Sequence, residues 1–278
     1  MQLYGITGYP LGHSLSPVLH NWALAQAGIA GAYLAWPLQA GRMPDFVNAV
    51  RTLNIQGVSV TIPHKEAIMP LLDSLTARAR ALGAVNTLYW DEGGLCGDNT
   101  DVEGFVAPLR GSAFASALVL GAGGAARAAL AGLRELGLPA VAVCNHNRER
   151  AQKLAEAFGA HCADWADRAA YAADLVINAT PLGMRGAHEG QSPLPPEAFT
   201  RRQAGSGMAY DMVYTPLTTR FLSEAEAAGW LTQDGLAMFI AQAQAQFRLW
   251  TGQEFSGVHA RALLLRELDK GSGRTDAD

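Results

Sequence analysis

The run Gly121-Ala122-Gly123-Gly124-Ala125-Ala126 fits the pattern G-x-G-x-x-G/A, and it stands between an apolar run at 116–120 and an alanine-rich stretch reaching to about 136. Between a strand and a helix, such a loop can cradle a pyrophosphate. Gly121 permits the tight turn, Gly123 lets backbone approach the phosphates, and Ala126 keeps helix and strand close. Helix N-terminal amides then face the anion. The same glycines would also serve a plain strand-to-helix corner. The next strand ends at Asn145, where a reader of a ribose 2′-hydroxyl would carry Asp or Glu. Here the chain continues His146-Asn147-Arg148-Glu149-Arg150. A missing acid with arginines at hand favours a 2′-phosphate, because guanidinium pairs with it in a fork.

Two further stretches could do chemistry. In the loop at 8–17, Ser14 and Ser16 lie two apart, the second opening a helix, and a helix N-terminus with two hydroxyls makes a carboxylate receptor. Capping by Ser16 alone would need no ligand, but it leaves Ser14 unexplained. Thr61-Ile62-Pro63-His64-Lys65 stands at a strand-to-helix corner, the place where open α/β sheets put their sites. Taken alone, Lys65 also reads as a solvated surface lysine. Gly97-Asp98-Asn99-Thr100-Asp101 reads by itself as local turn chemistry.

These residues need a frame to hold them. Strand-like and helix-like runs alternate, which predicts an α/β fold with parallel strands. Strands are expected at 3–8, 32–36, 57–62, 116–120, 140–145, 174–179 and 207–211, and a hairpin joins 86–90 to 95–98 around Asp91-Glu92-Gly93-Gly94. Ser16 at the N-cap and Pro17 at the first helical position start a helix that Gly28 stops. Further helices are expected at 43–53, 148–158, 217–228, 235–250 and 257–268, with helical segments between 65 and 82. Residues 184–192, with Gly186 and Gly190, read as a loop near the cofactor or as an inert surface loop. The tail at 271–278 is polar and expected to fray.

Composition excludes several classes. With 49% hydrophobic and 17% charged residues over 278 positions, the chain is an ordinary globular protein long enough for two domains. A net charge of −4 and the lack of a basic run argue against nucleic acid. Cys96, Cys144 and Cys162 are too sparse for a disulfide framework or zinc site and point to a reducing cytoplasm. His13, His20, His64, His146, His161, His188 and His259 form no ligand spacing, so no metal is expected. The N-terminus lacks the pattern of a secretory leader, and no apolar run is long enough for a membrane span. Met208, Met212 and Met238 suit packing rather than redox chemistry. Oligomeric state is not legible, so a homodimer stays open.

Taken together, the motifs resemble the shikimate dehydrogenase family: Gly-x-Pro-x-x-His-Ser-x-Ser-Pro-x-x-His-Asn at 8–21, Val-Thr-x-Pro-x-Lys at 60–65, Gly-Ala-Val-Asn-Thr at 83–87, Gly-x-Asn-Thr-Asp at 97–101, the glycine loop extended by Arg127, Asn-Ala-Thr at 178–180, and Asp-Gly-Leu-x-Met at 234–238 with Gln242. They run in order along nearly the whole chain. The resemblance implies reversible NADPH-dependent reduction of 3-dehydroshikimate to shikimate. It implies a substrate domain at 1–101 plus 235–278 and a Rossmann-like NADP domain at 102–234, the late helices returning to the first domain. By the same resemblance Lys65 and Asp101 form the catalytic pair. Ser14 and Ser16, with Tyr214, hold the substrate carboxylate. Thr61, Asn86, Asp101 and Gln242 hold its hydroxyls. Gly121, Ala122, Gly123, Gly124 and Ala125 bind the cofactor with Asn145, His146, Asn147, Arg148 and Arg150, while Met212 and Gly235 lie near the nicotinamide.

The chemistry suits these types. Hydride addition builds negative charge on a ketone oxygen, which an ammonium stabilises and protonates. In the reverse direction Lys65 must be neutral to act as base, against an ordinary lysine pKa of about 10.4. One departure stands out: many NADP-using members read Asn-Arg-Thr where this chain has Asn145-His146-Asn147, which removes one arginine without adding an acid. The alternatives are an NAD-using quinate/shikimate dehydrogenase, an aminoshikimate dehydrogenase, a folate-linked methylene dehydrogenase of the same two-domain plan, and a silent NADP-binding sensor. The serine loop and the intact Lys65 and Asp101 count against the last two.

Overall fold

Parallel strands need crossover connections, which the helices between the apolar runs supply. The computed structural model describes residues 1–12, 14–200 and 207–272 and holds two compact units, Met1–Thr100 with Ile240–Asp278, and Asp101–Phe239. His13 and the end of the polar tail, 273–278, lie outside the described residues.

The first unit contains β1 (Gln2–Gly8), α1 (Ser16–Gln26), β2 (Gly31–Pro37), α2 (Met43–Thr52), β3 (Gly57–Val60), β4 (Ser74–Leu75), α3 (Ala77–Leu82), β5 (Thr87–Asp91) and β6 (Gly94–Asp98). Its sheet has the order β2-β1-β3-β5-β6-β4. β1 pairs in parallel with β2 and β3, while β3–β5 and β5–β6 are antiparallel. The apolar face of α2, built on Met43, Phe46, Val47 and Val50, packs with Val58, Val60, Leu88 and Leu95.

The second unit contains α4 (Asp101–Val106), β7 (Ser116–Leu120), α5 (Gly124–Glu135), β8 (Ala140–Cys144), α6 (Arg148–Phe158), β9 (His161–Cys162), β10 (Leu175–Asn178), α7 (Glu197–Thr200), β11 (Met208–Asp211), α8 (Arg220–Ala227) and β12 (Leu231–Gln233). Its strands run β12-β11-β10-β7-β8-β9, all parallel. Gly132 lets α5 lie against α4, since a Cβ there would meet Phe105 Cδ1 at 2.5 Å.

α9 (Gly235–Thr251) and α10 (Gly257–Ser272) complete the chain. Gly57 has no room for a Cβ because the Trp250 indole covers it, and Trp250 Nε1 donates to Leu88 O at 2.8 Å. The C-terminal part of α9 is thereby tied to the first sheet. The division between units falls inside α9, at Phe239–Ile240, rather than at Gly235. Its first turn stays with the second unit: a Cβ on Gly235 would sit 2.6 Å from Met212 O, and the Phe239 ring lies 5.0 Å from that of Tyr214.

Several local expectations are corrected. β3 stops at Val60 instead of 62, where the chain turns through a cis Ile62-Pro63 bond. Between 65 and 82 a 3-10 turn at Met69–Leu71 and the short β4 precede α3, so that stretch is only partly α-helical. Ser16 is not the N-cap of α1: Leu15 holds that position without a side-chain bond, and Ser14 Oγ accepts from the Ser16 amide at 3.3 Å. The hydroxyl two residues earlier does the local work expected of Ser16.

Candidate functional site

The glycine loop bridges β7 and α5. Gly121 has φ +116°, and a Cβ there would lie 2.8 Å from Ala179 O, so this turn and the loop after β10 touch backbone to backbone. Around Gly123 and Gly124 the reverse holds, since an added Cβ would meet nothing within 4 Å. Open space over an uncapped helix start is what a phosphate group needs. A cleft of about 340 Å³ opens here, lined by Gly121, Ala122 and Gly123, by Asn145, His146 and Arg150 at the end of β8, by Trp165 after β9, and by Ala179, Thr180, Pro181, Leu182 and His188 after β10. That volume lies in the range of small-molecule sites. None of the lining residues is acidic.

The residues beyond β8 divide into two kinds. Asn147 caps α6, its Oδ1 accepting from Arg150 N at 3.0 Å, and its carbonyl accepts from Asn145 Nδ2 at 3.2 Å. Arg148 turns to Asp164, 2.7 Å away, in an exposed ion pair, whereas Arg150 lines the cleft. Gly124, Ala125, Asn147, Arg148, Met212 and Gly235 are not among the lining residues.

The wall at 179–182 and the ring of Trp165 were not singled out as site residues from the sequence. Asn-Ala-Thr at 178–180 was visible as a motif, but its place depends on β10 lying beside β7. This wall is braced from beneath. Asn178 Oδ1 accepts from Thr180 N at 3.0 Å and Thr180 Oγ1 at 2.7 Å, and its Nδ2 donates to Leu182 O and to Asp211 Oδ1, each at 3.0 Å. Asp211 Oδ1 also accepts from Val213 N at 2.9 Å, and Oδ2 from Thr219 Oγ1 at 2.6 Å. Burial pushes the Asp211 carboxyl up to about 6 despite those donors. In the loop at 184–192, His188 reaches the cleft, and Arg185 N donates to Thr215 O at 2.8 Å.

In the first unit, backbone bonds gather the other expected residues at the strand ends. Tyr9 N donates to Ile62 O at 2.9 Å and Thr61 N to Thr7 O at 2.9 Å, which fixes the serine loop against the corner that carries Lys65. Lys65 O accepts from Val85 N at 2.8 Å, and Asn86 O accepts from Val60 N at 2.7 Å. Ser14, Thr61, Lys65 and Asn86 thus stand on loops stitched to one another, and Ser16 is the first residue of α1. His64 is buried at the same corner, its Nε2 2.7 Å from Leu38 O. Asn86 Oδ1 accepts from Thr100 N at 2.8 Å, which anchors the residue before Asp101. Gln242 belongs to the first unit, while Asp101 and Tyr214 belong to the second, Asp101 as the first residue of α4. Burial raises the Tyr214 hydroxyl above the usual tyrosine value. Among the described residues no group of three or more His, Cys, Asp or Glu could hold a metal, and no helix is long and apolar enough to cross a membrane.

Comparison with known proteins assigns this arrangement. The family model described as the shikimate dehydrogenase substrate binding domain matches residues 6–88. That of shikimate/quinate 5-dehydrogenase matches 109–182, and the shikimate 5′-dehydrogenase C-terminal domain matches 235–256. A shikimate dehydrogenase (NADP(+)) of Oleidesulfovibrio alaskensis is 54% identical over 272 residues, covering 97% of either chain. The shikimate 5-dehydrogenase of Thermus thermophilus in complex with NADP(H) and shikimate superposes with a TM-score of 0.86 at 40% identity, covering 96% of this chain and 99% of that one. A quinate dehydrogenase of Corynebacterium glutamicum in complex with NAD gives a TM-score of 0.87 at 32% identity, covering 95% and 99%. With a mixed sheet in one unit, a parallel sheet bearing the glycine-loop cleft in the other, and relatives this similar over nearly the whole chain, the chain belongs to the shikimate dehydrogenase family.

Proposed function

We propose that the chain catalyses the reversible NADPH-dependent reduction of 3-dehydroshikimate to shikimate, an oxidoreduction at a CH–OH group. The observation that carries the cofactor choice is the cleft at Gly121–Gly123, whose lining has Arg150 and no carboxylate beyond β8. NADPH, when bound, supplies the hydride. In this reading Gly121 to Ala125 take the pyrophosphate and Arg150 the 2′-phosphate, with Met212 and Gly235 near the nicotinamide.

The remaining residues take the substrate. Ser14 and Ser16, with Tyr214, orient the carboxylate. Thr61, Asn86, Asp101 and Gln242 hold the ring hydroxyls. As the ketone is reduced, charge grows on its oxygen; the Lys65 ammonium stabilises that charge and delivers the proton, and Asp101 orients Lys65. In the oxidation direction the proton returns to Lys65. The three cysteines are free, which suits a reducing cytoplasm.

A second reading, an NAD-using quinate/shikimate dehydrogenase, draws on the Arg148–Asp164 pair, which leaves one arginine fewer at the cleft. The absence of an acid in the lining favours NADP. The test is stoichiometry: NADPH and 3-dehydroshikimate should be consumed one for one as shikimate forms. NADPH loss without shikimate would overturn the assignment.

A further inference from the structure

Gln246 is buried in the first unit and has no role so far towards substrate or cofactor. Its side-chain amide sits between two strands. Nε2 donates to Asn86 O at 3.2 Å and to Thr87 Oγ1 at 3.0 Å, and Oε1 accepts from Ser59 Oγ at 2.8 Å. The orientation is forced, because a carbonyl such as Asn86 O only accepts and must face the NH₂ end. Ser59 therefore gives its proton to Gln246 and accepts from Tyr33 OH at 2.7 Å. Thr87, accepting from Gln246, gives its own proton to Asn86 Oδ1 at 2.6 Å. Tyr33, Ser59, Gln246, Thr87 and Asn86 are all buried.

We infer that Gln246 is a positioning residue for the substrate site: its amide locks β3 to β5 and carries a one-directional hydrogen-bond chain from Tyr33 to Asn86. Asn86, at the end of the chain, is proposed above to hold substrate, and the inference rests on that reading. The middle of the chain bonds only to protein. A bidentate amide spanning two strands fixes the backbone and side chain at Asn86, which an apolar side chain of similar size would leave free. Buried polar networks of this kind specify one arrangement when every member is satisfied.

The test compares wild type with Gln246→Leu and Gln246→Glu. Shikimate binding is measured by calorimetry, steady-state kinetics with shikimate and NADP⁺, NADP⁺ binding by fluorescence, and folding by thermal unfolding. Gln246→Leu is expected to raise the shikimate KM and lower kcat, each by about fivefold or more. NADP⁺ affinity should stay within about twofold, since the glycine-loop cleft lies in the other unit. The carboxylic acid in Gln246→Glu can donate to Asn86 O only while protonated, so its kcat/KM relative to wild type should fall as pH rises. This second variant decides the matter if the first does not fold. Folded variants whose shikimate kinetics match wild type, or that lose NADP⁺ affinity as much as shikimate affinity, would overturn the inference alone. A wild-type chain that neither binds nor oxidises shikimate would overturn the underlying reading, and the inference with it.

Discussion

Asp211 accepts a hydrogen bond from Asn178 Nδ2 at 3.0 Å, and neither side chain is exposed to solvent. Through this bond a buried carboxyl at the end of β11 holds the loop after β10, the wall of the glycine-loop cleft at Thr180–Leu182.

The pair makes stability depend on pH in an unusual direction. Burial raises the Asp211 carboxyl from 3.8 to about 6. Between those values the folded chain keeps a proton that the unfolded chain has released. Stability from this group is therefore greatest below about pH 4, falls as pH rises towards 6, and is level above it, a loss of about 3 kcal/mol in all. Asp211→Asn should mimic the protonated acid: its oxygen can keep the Asn178 and Val213 donors and its amide can face Thr219. Denaturant unfolding across pH 4–7 should show the variant gaining on wild type over that interval. Parallel pH profiles would remove Asp211 from the account.

Gly121→Ala should damage the cleft directly. With φ at +116° and a backbone oxygen 2.8 Å from the new Cβ, the substitution should cost about 1–3 kcal/mol of stability. The KM for NADP⁺ should rise while that for shikimate stays near wild type. An unaltered NADP⁺ KM would show that the turn does not shape the cofactor site.

The two arginines after β8 should separate. Arg150 lines the cleft, so Arg150→Ala should raise the KM for NADP⁺ far more than that for NAD⁺, since the two cofactors differ in the 2′-phosphate that a guanidinium would hold. Arg148 is spent on exposed Asp164, and Arg148→Ala should change either KM by about twofold at most. Equal effects of Arg150→Ala on both cofactors would argue against phosphate recognition.

Lys65→Ala should lower kcat by about 10² to 10⁴ with little change in shikimate affinity, the signature of a group that acts in proton transfer and charge stabilisation. Stopped-flow turnover with a parallel shikimate titration measures both. Undiminished turnover would exclude Lys65 from the chemistry.

Legibility in the sequence followed locality. α6 was read to the residue because Asn147 caps it through its own side chain and Gly159, at φ +68°, ends it. The glycine loop was legible because its strand and helix adjoin it in the chain. The cleft wall at 179–182 was not, because its role depends on β10 pairing with β7, some 58 positions away in register (Leu175 with Ala117). Arg148 looked equivalent to Arg150 until Asp164, on the far side of α6, claimed it. Gln246 lies one helical turn after Gln242, and the residues it holds lie about 160 positions earlier in the chain. Short elements such as β4, β9 and β12 carry too few residues for a period to show.

The most direct test of the central claim is the initial rate of shikimate oxidation, with NADP⁺ and NAD⁺ in parallel and quinate as second substrate. The account predicts a kcat/KM for shikimate with NADP⁺ well above that of any other pairing. Preference for NAD⁺ or for quinate would contradict the cofactor and substrate assignment while keeping the fold, and no turnover with any pairing would contradict the dehydrogenase function itself.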